Sequence, residues 1–203
     1  MRVLTKPFEE MGEFPDIAEQ LQISGAHVAV GGCVDSQKMH MVYGLGSPFR
    51  NKVIVTYSDI RAREIYEDYK FYDRNTVLYP GKDLIFFQAD VHGNRLTMER
   101  MKVLRRILEG LPVTVVTTFD SLMTCQAPMD ILKKGIVPIR KGKAMPPGLS
   151  AALVAAGYEK VYQVEGPGQF AVRGGIIDIF DLTEENPYRM ELWGDEVESV
   201  RSF

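Results

Sequence analysis

The sequence has few of the residues that build metal sites or disulfide frameworks. It contains two cysteines, Cys33 and Cys125, and three histidines, His27, His40 and His92. The cysteines are far apart and lack a CxxC partner or a nearby histidine, so their spacing predicts neither a zinc site nor a disulfide framework. The histidines lie on unrelated segments, with no nucleophile or carboxylate at a catalytic spacing. We therefore expect no metal, no cofactor and no catalytic residue in this chain.

The sequence also lacks the features that attach proteins to membranes or to nucleic acids. No apolar run approaches the ~20 residues of a membrane-spanning helix, and no secretory signal pattern opens the sequence. The net charge is −3 and the pI is near 5.7, whereas nonspecific binding of nucleic acid usually needs a basic surface. We expect a cytoplasmic protein without membrane attachment, and local basic patches remain compatible with this charge.

The first part of the chain alternates between strand and helix patterns. Such alternation is typical of a mostly parallel sheet that is covered by helices on both faces. Segment 83–93 is predicted to be irregular, and Asn94 is expected to cap the helix that follows it. The predicted strands are 26–30, 53–56, 76–79 and 113–117, and the predicted helices are 14–22, 34–43, 58–69, 95–109 and 119–125.

The pattern changes near Pro128. A strand over 136–141, a helix over 149–156 and a strand over 159–165 precede an antiparallel meander. The predicted meander strands are 170–173, 176–180, 188–193 and 196–203. The sequence therefore predicts an α/β protein with two domains. Residues 1–126 form a parallel-sheet domain, and residues 127–203 form a smaller α+β domain with a mostly antiparallel sheet.

The first predicted domain has the setting of a phosphate-binding loop, a strand followed by glycines and a helix. A working loop reads G-x-x-x-x-G-K-[ST], in which the lysine neutralises phosphate and the hydroxyl holds magnesium. Counting from Gly32, Gln37 replaces the second glycine, Lys38 follows, and Met39 replaces the hydroxyl residue. Asp35 would place an anion inside the phosphate nest. We predict a degenerate loop that is kept for packing.

The predicted strand 188–193 has two chemically different faces, because side chains alternate along a strand. Trp193, the only tryptophan, shares a face with an arginine, and these residue types are enriched in binding hot spots. Two interpretations are open. Either this face binds a partner, or Trp193 is covered by the same chain while Arg189 pairs with Glu191 or Asp195. The faces are Tyr188, Met190 and Leu192 on one side, and Arg189, Glu191 and Trp193 on the other.

At these residues the sequence resembles a known family. The stretch F-A-V-R-G-G-I-I-D-I-F, followed after an acidic loop by P-Y-R-M-E-L-W-G-D-E-V-E-S-V-R-S-F, is similar to a hallmark of bacterial transcription-repair coupling factors and of the excision-repair helicase UvrB. The preceding G-Y-E-K-V-Y-Q-V-E-G-P-G-Q-F-A-V-R-G-G resembles the coupling factors rather than UvrB. The likeness spans essentially the whole chain, but the family's proteins are several times longer. It implies an N-terminal module made of a helicase-like domain without a working nucleotide site and a domain like the second domain of UvrB.

The resemblance also implies a function. In the family, this module recruits UvrA, the damage-recognition ATPase, after the full-length ATP-dependent translocase displaces a stalled RNA polymerase. The contacts carried over to this chain are Arg173, Arg189 and Trp193, and the family often has phenylalanine at the last position. RNA polymerase and duplex DNA are expected to bind other domains of the parent. Another domain of the parent is a candidate to mask the surface that faces UvrA.

Two other function classes stay open. The first is an active nucleotide-dependent enzyme, which the degenerate loop argues against. The second is a module that binds damaged DNA directly, for which the helix at 95–109 offers a row of basic residues. Glu99 and Glu109 interrupt this row, and a solvated helix face explains the same pattern. The basic residues are Arg95, Arg100, Lys102, Arg105 and Arg106.

Overall fold

The computed structural model describes residues 2–81 and 90–203. In chain order its elements are α1 (Arg2–Glu9), α2 (Phe14–Gln20), α3 (Asp35–Gly46), β1 (Asn51–Thr56), α4 (Asp59–Tyr69), β2 (Thr76–Tyr79), α5 (Asp90–Leu108), β3 (Val113–Thr118), α6 (Phe119–Met123), α7 (Met129–Lys134), α8 (Leu149–Ala155), β4 (Glu159–Lys160), β5 (Gln169–Arg173), β6 (Ile176–Ile179), β7 (Tyr188–Trp193) and β8 (Glu196–Ser202). Within the described residues, no helix is long and apolar enough to cross a membrane.

The chain divides into two compact units, which are described separately. The first comprises Met1–Gly81 and Gly110–Met123, and the second comprises Lys82–Glu109 and Thr124–Phe203. Helix α5 therefore groups with the second unit, where Arg105 contacts Thr183 and Glu184. The division into domains 1–126 and 127–203 stays a prediction.

The first unit is built on a three-stranded parallel sheet with the order β1-β3-β2. Every residue of β3 is buried, as its central position and its Val/Thr sequence favour. Helix α4 is capped by Ser58, whose Oγ accepts a hydrogen bond from the backbone N of Arg61 at 3.3 Å. Aromatic and aliphatic side chains of α3, α4 and β3 form the core, including Tyr43, Tyr69 and Val116.

Segment 26–30, which the sequence predicts to be a buried strand, is neither a strand nor buried. Its short apolar run is no different in composition from a strand of a parallel sheet. A strand also needs a neighbour to pair with, and segment 26–30 joins neither outer edge of the sheet β1-β3-β2. The pattern could not reveal this, because it reports side-chain character and not pairing.

The second unit is built on a five-stranded sheet with the order β4-β5-β6-β7-β8. Strands β4 and β5 are parallel, and the remaining neighbours are antiparallel. Gly174, between β5 and β6, and Gly194, between β7 and β8, have φ values of 59° and 63°, which allow tight turns. The apolar side of the sheet packs with Leu149 of α8 around Phe170, Ile177 and Met190.

Several predicted boundaries in the second unit are wrong. Segment 136–141 is not a strand, and Val137 and Ile139 pack against the core from an irregular segment instead. Of the predicted strand 159–165, only Glu159–Lys160 pairs with β5. Helix α5 begins at Asp90, so Asn94 lies inside the helix and does not cap it. Most of the predicted irregular segment 83–93 lies outside the described residues.

The predicted fold class is confirmed. The chain is an α/β protein with a parallel sheet followed by a mostly antiparallel sheet, and the meander strands 170–173 and 188–193 lie where their alternation placed them. Periodicity was sufficient there because short turns join consecutive strands and fix their pairing.

Candidate functional site

Strands β5 to β8 expose a polar face opposite the apolar core. Residues that lie opposite each other in the register share a face, and Asp178 pairs with Arg189, which pairs with Arg201. Met190 and Ile177 pair with each other on the core side. The alternation predicted for strand 188–193 is thereby confirmed. We call the outer side the polar face; it carries Arg173, Asp178, Arg189, Glu191, Trp193, Glu196, Ser199 and Arg201.

Asp178 lies at the centre of the polar face and holds two arginines. Its Oδ1 accepts a hydrogen bond from Arg189 Nε at 2.7 Å, and its Oδ2 accepts one from an Arg189 terminal nitrogen at 2.8 Å. Arg173 donates to the same Oδ2 at 2.5 Å. The contact with Arg189 is bidentate, so it fixes the plane of that guanidinium group as well as its position.

The buried carboxylate and the exposed guanidinium groups form a small positive centre. Asp178 is 2% exposed, whereas the side chains of Arg173 and Arg189 are 38% and 29% exposed. The hydrogen bond from Arg189 and the charges of both arginines hold the pKa of Asp178 below its usual range, although burial opposes them. The hydrogen bond to Asp178 likewise raises the pKa of Arg189. One negative and two positive charges leave this centre with a net charge of about +1.

Aromatic rings flank both arginines. The guanidinium carbon of Arg189 lies 4.6 Å from the centre of the Phe203 ring, and that of Arg173 lies 6.0 Å from the centre of the Tyr162 ring. These distances are within the range of cation–π attraction. Each arginine is therefore restrained by a carboxylate and by a ring, and part of its surface still reaches solvent.

The polar face is acidic towards the β7–β8 turn. Glu191 accepts a hydrogen bond from Ser199 Oγ at 2.8 Å and forms an ion pair with Arg201. Further along, Trp193 lies opposite Glu196 in the strand register. The tryptophan is 81% exposed, so no described helix or loop covers it.

These contacts test the two interpretations of the face that carries Arg189 and Trp193. The alternative in which the same chain covers Trp193 is wrong for the described residues. Arg189 does pair within the chain, but with Asp178 and not with Glu191 or Asp195. Whether Arg173, Arg189 and Trp193 bind a partner stays a prediction.

The predicted degenerate phosphate loop has side chains that are engaged elsewhere. Lys38 Nζ lies 2.9 Å from Asp35 Oδ1, and this ion pair lowers the pKa of Asp35. Met39 is buried in the core of the first unit, while Gln37 is exposed. Gly32 has a φ of 78°, which a tight turn uses. Gly32, Gln37, Lys38 and Met39 thus lie at or just before the first turns of α3, and they do not offer the oxygen ligands that magnesium needs.

The remaining candidates from the sequence are the basic residues of α5, the cysteines and the histidines, and those that the structure describes do not come together in one place. On α5, Arg105 contacts Glu109 and Glu184, so its charge is compensated within the chain. Cys33 and Cys125 are not joined in a disulfide. His40 Nε2 donates a hydrogen bond to the backbone O of Leu4 at 2.5 Å, and its ring lies 4.3 Å from the Phe8 ring in a tilted arrangement. In the part of the chain that the structure describes, no group of His, Cys, Asp and Glu side chains could hold a metal ion.

Sequence reasoning missed Asp178, the residue that organises the polar face. The β-branched run in segment 176–180 predicts a strand but does not by itself give Asp178 a role. The signal was available, since a lone aspartate inside an apolar strand needs a partner, and Arg173 directly precedes the turn that joins β5 to β6. Phe203 and Tyr162 could not be found in this way, because their contacts with the arginines depend on the pairing of the strands.

A comparison with known protein families finds a match in this region. A family model described as "UvrB interaction domain" matches residues 137–203, which include the whole of the polar face. The match covers about a third of the chain and shows that this part is similar to the UvrB interaction domain. The fold class and the resemblance inferred from the meander motif agree with this domain.

The chain is also similar to larger proteins named transcription-repair-coupling factor. The protein from Bacillus subtilis is 35% identical over 153 residues, which are 74% of this chain and 13% of that protein. One from Staphylococcus aureus is 26% identical over 100% of this chain and 18% of its own length. One from Mycobacterium bovis is 37% identical over 51% of this chain and 9% of its own length. The chain thus spans less than a fifth of these relatives, and its resemblance to the coupling factors is confirmed.

Proposed function

We propose that this chain is a non-catalytic protein-interaction module that recruits UvrA through the polar face. The observation that carries the proposal is the arrangement of Arg173 and Arg189 around the buried Asp178, beside the exposed ring of Trp193. Arginine and tryptophan are the residue types that most often dominate binding energies. The UvrB interaction domain match over the same residues supports this use of the polar face.

The arginines are suited to a carboxylate of the partner. Each guanidinium group has more donors than Asp178 occupies, and a planar fork binds a second carboxylate in a defined direction. Because Asp178, Phe203 and Tyr162 restrain the two side chains, less conformational entropy is lost on binding. Trp193 adds a large apolar surface that is accessible before the partner arrives.

The biological setting of the proposal comes from the relatives. As part of a transcription-repair coupling factor, the module would bring UvrA to a stalled RNA polymerase in the cytoplasm, so that displacement of the polymerase leads to nucleotide excision repair. RNA polymerase and duplex DNA would be bound by parts of the longer protein outside this chain. Another domain of that protein is a candidate to mask the polar face until the translocase engages.

We also propose that the chain has no nucleotide-dependent activity of its own. Lys38 is compensated by Asp35, and Met39 contributes to the core where a magnesium ligand would have to reach the phosphates. Changing Met39 to a hydroxyl residue would therefore remove core volume without freeing the lysine. These contacts argue against the alternative of an active helicase-like enzyme.

Calorimetric titration of this chain with purified UvrA tests the recruitment proposal. We expect micromolar or tighter binding, and we expect the double variant Arg189→Ala, Trp193→Ala to bind about 30-fold more weakly or worse. The matched control is Arg63→Ala, Phe71→Ala, which removes an exposed arginine and an exposed aromatic ring from the first unit. Circular dichroism establishes that each variant is folded. No binding by the folded wild-type chain, or equal losses in both double variants, would refute the proposal.

A further inference from the structure

A groove lies at the acidic end of the polar face. Trp193, Glu196 and Glu198 line it, and its volume is about 420 Å³. Its carboxylates differ from the others on the polar face. Glu191 is compensated by Arg201, whereas neither Glu196 nor Glu198 forms an ion pair with any described residue. The groove therefore combines an exposed aromatic ring with two uncompensated negative charges.

The backbone around the groove is held in place. Strand β8 is bonded on its outer side by segment 142–145, with Gly142 N donating to Val197 O at 2.8 Å and Val197 N donating to Lys143 O at 2.9 Å. Met145 N donates to Asp195 O at 2.7 Å, which fixes the β7–β8 turn. The backbone that carries the lining residues is thus fixed before any ligand binds, so occupying the groove requires ordering of side chains only.

We propose that this groove receives a cationic side chain, lysine or arginine, from the same protein partner that binds the arginines. The inference rests on the proposed function and adds the chemistry of the partner to it. A cation over the indole of Trp193 gains cation–π attraction, and it pairs at the same time with Glu196 and Glu198. An anionic or apolar side chain would leave both carboxylates uncompensated in the interface.

The two ends of the polar face then specify a pattern of charge on the partner. Arg189 and Trp193 are four residues apart on one strand and on the same face, which corresponds to roughly 13 Å. The partner therefore presents a carboxylate and a cation separated by about that distance. Because the two ends of the polar face have opposite charge, a partner rotated by half a turn would place like charges together. The groove thus fixes the orientation of the complex.

The groove can be tested without UvrA, because Trp193 is the only tryptophan and its fluorescence reports on this site alone. We expect a tetra-arginine peptide with blocked termini to change the fluorescence saturably, with a dissociation constant on the order of 1 mM. The variant Glu196→Gln, Glu198→Gln should weaken this binding about fivefold or more. The control Glu10→Gln, Glu13→Gln has the same net charge and should bind like the wild type. Absence of a saturable change, or an unchanged affinity in the groove variant, overturns the inference.

Titration with UvrA separates this inference from the proposed function. If both are right, Glu196→Gln, Glu198→Gln weakens UvrA binding about fivefold or more, and the effect diminishes at high salt. If UvrA binds and requires Arg189 but is indifferent to Glu196 and Glu198, the inference is wrong and the recruitment proposal stands. If UvrA does not bind but the peptide does, recruitment of UvrA is wrong, and the groove is left as a cation site for another protein.

Discussion

At the scale of single residues, Asp178 determines the geometry of the polar face. It is the only buried acidic side chain among the described residues, and its side-chain hydrogen bonds go to Arg173 and Arg189. Without this carboxylate, the two guanidinium groups would repel each other and lose their fixed orientation. Asp178 is therefore a positioning residue, and it acts on a partner only through the arginines.

Replacing Asp178 by asparagine tests this role. The substitution preserves shape but removes the charge-assisted hydrogen bonds, so we expect the free energy of unfolding to fall by about 1–2 kcal/mol, a small value because the arginines stay partly in water. Urea denaturation at neutral pH measures the change. Glu185→Gln is the control, since Glu185 is exposed, and it should alter stability by less than about 0.5 kcal/mol. An equal effect of both substitutions would contradict the role given to Asp178.

The pH dependence of stability offers an independent measurement at the same residue. The pKa of Asp178 is lower in the folded chain than its unfolded value of about 3.9, because the arginines stabilise the carboxylate. The corresponding stabilisation is present above that value and is lost as the pH falls through the folded-state pKa. We therefore expect the difference in the free energy of unfolding between wild type and Asp178→Asn to become smaller as the pH is lowered from about 7 to about 3. A difference that stays constant over this range would show that the effect is not electrostatic.

Residue-level prediction from the sequence succeeded where only one strand was involved. The side on which Trp193 lies follows from the alternation of its own strand, and Met190 on the opposite side is buried as expected. The partner of Arg189 required knowledge of the neighbouring strand, because Asp178 is opposite it in the register although it is eleven residues away. Cross-strand partners depend on pairing, which a single strand does not encode.

At the scale of elements, the turn between β5 and β6 brings Arg173 next to Asp178. Arg173 ends β5, and Gly174 follows with a φ of 59°. We expect Gly174→Ala to lower the free energy of unfolding by about 1–2 kcal/mol, because a side chain is strained in this left-handed conformation. Thermal or urea unfolding measures the loss. Gly166→Ala serves as the control, since no atom lies within 4 Å of its added carbon and its φ is not in the strained range.

The predicted elements were most accurate where a segment and its neighbour are joined by a short turn. Strands β7 and β8 meet at Gly194, so each segment's alternation also indicated its partner. Segments 26–30 and 136–141 have similar apolar patterns but do not form strands. The irregular segment at 137–139 still buries side chains against the core, which shows that apolar character predicted burial there but not backbone hydrogen bonding.

At the scale of the whole molecule, the first unit resembles a nucleotide-binding domain in its layout but not in its ligands. It has the parallel sheet and the position of a phosphate loop, yet Lys38 and Met39 are used for an ion pair and for packing. We expect no saturable binding of Mg-ATP at concentrations up to about 1 mM, as measured by calorimetry, since neither phosphate nor magnesium finds its usual ligands. Saturable binding that Lys38→Ala abolishes would restore the enzymatic alternative.

The order of the strands has a kinetic consequence. Every antiparallel neighbour pair from β5 to β8 joins segments consecutive in the chain, whereas β1 must find β3, with Asn51 opposite Val113. Local pairings close small loops and form quickly, and distant parallel pairings form slowly. During refolding, the backbone amides of β5 to β8 should acquire protection from hydrogen exchange earlier than those of the parallel sheet. The polar face would then form first, before the distant strands of the parallel sheet have paired.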